Sequence, residues 1–242
     1  MAPERVLHGF NDKLPIEEAY GWSKEKILDF MDDVAINPQR YEIQDDQRPA
    51  IERLVREIRD LCPPDGSSYK QEGLEPDQMT KRILNKDWNP SSRSSKFLLN
   101  PFVYKHVPFT GLFDLVGAFL SIKTAPVRAT PNNFYIPLMG MYEQWCRNFH
   151  DNSPKMVQCT WISHREAKCQ FFLGASCAGY RTGPQPTGSW DMVVRNGRWD
   201  LIYDGAMRQR GYKMYKCPQT QAGSKVWFGN CAETIPLVVL LR

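Results

Sequence analysis

Long apolar runs are missing from this chain. Even the run Pro236–Leu241 falls far below the ~20 residues that span a bilayer, so no membrane contact is expected. The opening MAPERVLHGFNDKLP carries charge where a secretory leader needs an apolar segment. The expected location is therefore cytoplasmic or nuclear. No two of the seven cysteines have CxxC spacing, and their number is odd. Without a leader, free thiols are the reading. G-x-x-x-x-G-K-[ST], G-x-G-x-x-G and HExxH are all absent. Their absence removes the phosphate-cradling loops and the two-histidine zinc helix as sources of function. No internal repeat and no low-complexity tract interrupts the chain.

Acidic residues are scarce in one part of the chain only. Residues 1–100 hold 15 Lys+Arg against 19 Asp+Glu, a net −4, and residues 101–242 hold 16 against 8, a net +8. The later part is basic because it lacks acids, a balance that favours an anionic partner. The acidic front is expected to serve as a docking element for a protein partner. The chain length of 242 residues and the 42% hydrophobic content suit one large or two small soluble globular domains.

The front reads as helices. In GWSKEKILDFMDDVA, Ser23 is a good N-cap, and Trp22 and Ile27 bracket it as a hydrophobic staple. A second helix is expected from near Asp46, with Pro49 in its first turn, until Pro63 and Pro64 end it. A third is expected from Pro76 through Ile83 and Leu84 toward Trp88. The polar stretch 89–97, NPSSRSSKF, is the expected boundary between an acidic helical region, 1–90, and a basic α+β region, 98–242. Past it, TGLFDLVGAFLSI reads as a helix capped by Thr110. NNFYIPLMGMYEQWCRNF is ambiguous because Pro137 and Gly140 interrupt it.

From about residue 155 the period changes to two. MVQCTWI, CQFFLGASC, KVWFG and IPLVVLL all read as strands. In SWDMVVRNGRWDLIYD, Asn196-Gly197 suits a type I′ hairpin turn. That register sets Val194 opposite Trp199, Met192 opposite Leu201 and Trp190 opposite Tyr203 on a core side. Asp191, Val193, Arg195, Arg198, Asp200 and Ile202 fall on the other side. The expected fold is α+β, with N-terminal helices followed by a mainly antiparallel, curved C-terminal sheet.

Several chemistries can be weighed. Cys159, His164 and Cys169 have the spacing of half a zinc knuckle, and Cys177 offers a fourth thiol. The cysteine that a knuckle needs before the histidine is replaced by Met156. No metal and no cofactor are expected. GASCAG places Ser176 and Cys177 among small residues, but every histidine precedes it, which is the wrong order for an α/β-hydrolase. Acid–base chemistry of the isomerase, dehydratase or cyclase type remains as one reading, with His164 and Asp191 meeting in a cavity of the sheet. The favoured reading starts from RQRGYKMYKC. Arg208, Arg210, Lys213 and Lys216 suit phosphates, Tyr212 and Tyr215 suit unpaired bases, and Arg195 and Arg198 add a second basic pair. Together they suggest a surface for a polyanion, most of all single-stranded nucleic acid.

Overall fold

Ser23 starts the first long helix as its sequence requires. Its backbone is extended, at φ −69° and ψ 165°, and its hydroxyl accepts a hydrogen bond from Lys26 N at 3.3 Å. The computed structural model describes residues 4–62, 80–89, 96–150, 153–162, 169–176, 197–200, 202, 207–208, 211–213 and 231–240. After a short α1 (Ile16–Ala19), α2 (Lys24–Ile36) buries Ile27, Leu28, Met31, Val34 and Ala35. α3 (Arg48–Leu61) has Pro49 in its first turn and buries Ile51, Leu54, Val55, Ile58 and Leu61. Both helices present the apolar stripe that a 3.6-residue period creates. Two acids of α2 are paired with neighbouring side chains: Asp32 with Arg59, and Asp33 with Arg40 and Tyr41.

The chain is α+β, and all strand pairs among the described residues are antiparallel. Pairing begins earlier than the sequence suggests. Ile83 and Leu84, expected on a third helix, lie in β1 (Arg82–Leu84), which pairs with β2 (Phe97–Leu99). So short an apolar run has no decisive period, and the ladder with β2 settles it. The polar stretch 89–97 thus ends on the first residue of β2, and just before it Lys96 O accepts from Asn85 N at 2.8 Å. The expected helix start, 76–79, is outside the described residues.

β3 (Phe102–Tyr104) and β4 (Val107–Phe109) form the next pair. The helix α4 (Leu112–Leu120) follows, with Gly111 rather than Thr110 at its N-cap and no side-chain bond there. Pro131–Tyr135 is a single π turn locked by a reciprocal cap. Thr130 Oγ1 accepts from Asn133 N at 3.1 Å, and Thr130 N donates to Asn133 Oδ1 at 2.7 Å. It leads directly into α5 (Ile136–Phe149). Pro137 does not interrupt this helix, because a first-turn proline lacks only an N–H that would have no helical partner. The hairpin β5 (Val157–Ile162) and β6 (Gln170–Ala175) forms as its alternation predicts.

Two expected strands are helices. Residues 235–240 of IPLVVLL lie in α6 (Thr234–Leu240), which buries Ile235, Pro236 and Val238 and leaves Leu237 exposed. Residues 197–200 and 202 are also helical. Arg198 and Ile202, four apart on one helical face, are both buried, so the outward strand face expected for them is not formed. Each segment reads as a strand locally, but packing against β6 and α4 decides otherwise. The strands expected at 190–196 and in KVWFG are outside the described residues.

The early and late helices share one core. Phe10 stacks on Phe119 with ring centres 5.4 Å apart, and Trp22 stacks on Trp145 at 5.9 Å. Trp145 Nε1 donates to Ala19 O at 2.8 Å, which fixes α1 against α5. No described helix is long and apolar enough to cross a membrane. Two glycines allow the close packing around β6. A Cβ on Gly117 of α4 would lie 2.5 Å from Leu173 O, and one on Gly174 would lie 2.2 Å from Ala232 O. Both obstacles are backbone, which cannot rotate away. Gly117→Ala and Gly174→Ala are each expected to cost about 1–3 kcal/mol as overpacked sites. Urea unfolding of the two variants checks this, and an unchanged midpoint would refute the close approach.

Candidate functional site

RQRGYKMYKC is described in part. Met207 is buried, while Arg208, Gly211, Tyr212 and Lys213 are exposed. Gly211 has φ +80°, the left-handed conformation that a Cβ penalises. Its N–H donates to Arg208 O at 3.0 Å, and Tyr212 N donates to Met207 O at 3.1 Å. These two bonds are the paired closure of a helix C-terminus around a left-handed glycine. Gly211 thus ends a helical turn, and the described part of the tract is not on a sheet. The turn sets Arg208 on its last helical residues and Tyr212 and Lys213 just beyond. Arg210, Tyr215 and Lys216 lie outside the described residues, as does Arg195.

Arg198 has a different position from the one expected. It is 2% exposed, and its guanidinium donates to Asp114 Oδ1 at 2.9 Å and to Ala175 O at 3.4 Å. A phosphate contact from an outer strand face is therefore corrected to a buried ion pair. Asp114 belongs to the first turn of α4 and also accepts the N–H of Ala175. Burial pushes its carboxyl above the usual range, against the opposing pull of Arg198 and of that N–H. Tyr142 and Cys146, on α5, close the site, with Tyr142 OH donating to Phe113 O at 2.7 Å. Burial pushes both of their groups well up. The four side chains form a buried polar island in the core. Sequence reasoning passed over Asp114, although one acid inside LFDLVGAFL was the signal for a buried partner.

The cysteine spacing also resolves into geometry. Cys159 pairs with Leu173 across the hairpin, and Cys169 immediately precedes β6, four residues from Leu173. At the strand rise this is roughly 13 Å, far beyond the reach of one tetrahedral ion with ~2.3 Å zinc–sulfur bonds. Among the described residues no three His, Cys, Asp or Glu side chains are placed to hold a metal. Tyr135 lies flat on Trp161, with ring centres 4.4 Å apart, beside this hairpin. Cys177, His164 and Asp191 are outside the described residues.

Compared with protein-family models, curated proteins and solved structures, the chain matches none.

Two measurements follow from this geometry. Cys62, Cys146, Cys159, Cys169 and Cys231 are free thiols. Burial pushes Cys62 and Cys146 upward and Cys159 up to about 12. With the thiol pKa above neutral, the reactive thiolate is scarce at pH 8. These three are expected to resist a thiol reagent in the native protein and to react at once in denaturant. Mass-mapped labelling checks this, and native labelling of Cys159 at the rate of an exposed thiol would contradict it.

The buried pair is tested by a double-mutant cycle. Asp114→Asn is expected to cost about 3–5 kcal/mol, because it strands a buried guanidinium charge. Replacing Asp114 and Arg198 together by Leu is expected to cost less than the two single replacements added. Additive losses in urea unfolding would show that the two side chains do not act as a pair.

Proposed function

We propose that the protein binds a polyanion, single-stranded nucleic acid above all, through the surface around the Gly211 turn. The observation that carries this reading is Tyr212, 41% exposed, held between exposed Arg208 and Lys213 on a backbone fixed by two hydrogen bonds. Cations offset phosphate charge, and an exposed ring is a platform for an unpaired base. Fixing the turn in advance reduces the ordering cost of binding. A helix C-terminus by itself repels an anion. Here the carbonyls of Met207 and Arg208 are already occupied by the turn's own N–H groups, and Arg208 and Lys213 are exposed beside them.

Arg210, Tyr215 and Lys216 extend the same tract in sequence, and Arg195 adds charge from the +8 part of the chain. Arg198 is left out because its charge is used inside the core. A nucleic-acid ligand goes with a cytoplasmic or nuclear location, and the reading calls for no cofactor.

The test is a salt titration of binding to a short labelled single-stranded oligonucleotide. Arg208→Ala and Lys213→Ala are each expected to lower the slope of log affinity against log salt by roughly 0.7, one phosphate contact apiece. Tyr212→Ala is expected to cost about 1–3 kcal/mol of affinity with little change in slope, since stacking is not ionic. Absence of binding by the wild type at low salt would end this reading.

A further inference from the structure

A second concentration of cations lies in the part of the chain that is acidic in total. Arg53, Arg56 and Glu57 share one side of α3 at the i, i+3, i+4 spacing. Glu57 is buried and forms an ion pair with Lys81, at the foot of β1. Glu52, one turn before Arg56, is engaged by Arg48 at 2.7 Å. Arg53 and Arg56 are exposed, and among the described residues neither forms an ion pair with a carboxylate. Arg53 and Arg56 thus flank, on α3, the carboxylate that takes up Lys81, and Asp60 lies one turn beyond Arg56.

The framework beneath them is fixed. Lys81 N donates to Thr110 O at 2.7 Å, and Lys81 O accepts from Asn100 N at 3.0 Å. The Arg53 guanidinium lies over the Phe102 ring, 5.0 Å from its centre. Phe102 in turn stacks on Tyr104, with planes 12° apart. A guanidinium lying on an aromatic face keeps its edge N–H groups turned outward for a ligand. The crowding is felt at Lys81: burial, then Arg53 and Arg56, hold its ammonium below the usual lysine range. An anion bridging the three would relieve that repulsion. Arginine is the side chain that meets an oxyanion with paired hydrogen bonds.

We propose that Arg53, Arg56 and Lys81 form a phosphate-binding site at the junction of α3 and β1, separate from the Gly211 turn. The ligand is a phosphate oxyanion, supplied either as a free phosphate or by a nucleic-acid backbone. The proposal does not rest on the nucleic-acid reading, because it concerns the phosphate group alone.

The experiment titrates inorganic phosphate into the full chain by calorimetry at constant ionic strength. Saturable binding is expected. Arg53→Gln with Arg56→Gln should weaken it about tenfold or more, the loss of at least one charge-assisted hydrogen bond. Lys13→Gln with Lys155→Gln, a loss of two exposed cations outside both surfaces, should leave it within about twofold. Arg53→Lys with Arg56→Lys should restore part of the affinity, because charge returns without the paired donors. Both arginines are exposed, so the variants are expected to keep the wild-type circular dichroism and melting curve. A short single-stranded oligonucleotide that displaces phosphate identifies a nucleic-acid backbone as the source. Failure to displace it identifies a free phosphate. Absence of saturable phosphate binding, or equal affinity in the Arg53→Gln, Arg56→Gln variant, overturns the site. Loss of oligonucleotide binding by the wild type with phosphate binding intact would refute only the nucleic-acid reading.

Discussion

The ion pair between Asp114 and Arg198 joins three parts of the chain that are remote in sequence. Asp114 is on α4, Arg198 is on the helical residues that follow 196, and Ala175 between them ends β6. Both charges are almost fully out of water, which carries a large desolvation cost. That cost is tolerable when the partners are held in place and neighbouring polar groups meet them. Ala175 contributes on both counts, with its N–H to the carboxylate and its C=O to the guanidinium. A pair so placed specifies an arrangement more than it adds stability, because any slip would leave a charge uncompensated.

Close backbone packing supports the same arrangement. Gly117 brings α4 against the Leu173 carbonyl, and Gly174 brings the other side of the strand against the start of α6. β6 is therefore covered on two sides by helices that have no room for a side chain at the crossing points. The apolar run at the chain's end becomes a helix because this surface offers it burial of Ile235, Pro236 and Val238 at helical spacing. A short apolar run has no strong preference of its own, so the available partner decides.

Charge is distributed differently in space than along the chain. Several acids of the first hundred residues are paired with neighbouring cations, as Asp32 is with Arg59 and Asp33 with Arg40. The net −4 of that region thus does not describe each of its surfaces. Arg53, Arg56 and Lys81 form a basic surface inside an acidic segment. In the basic segment, one of the arginines assigned to the outside is sealed in the core. Net charge per region is a sum, and a sum does not record which charges cancel at contact distance.

The sequence by itself determined the elements whose signals are local. Ser23 and Pro49 set the starts of α2 and α3, the apolar stripes set their buried faces, and alternation set β5 and β6. The left-handed conformation of Gly211 and its place at a helix end became visible only with the structure and its two hydrogen bonds. Tertiary structure alone decided the rest. It turned Ile83 and Leu84 into a strand, turned the Gly197 and Ile235 segments into helices, and moved Arg198 from a phosphate to Asp114. Each of those outcomes depends on a partner more than ten residues away. A one-dimensional pattern can state that a residue is apolar or charged. Which distant surface will bury it or neutralise it is a property of the assembled core, where burial and pairing energies outweigh local preference.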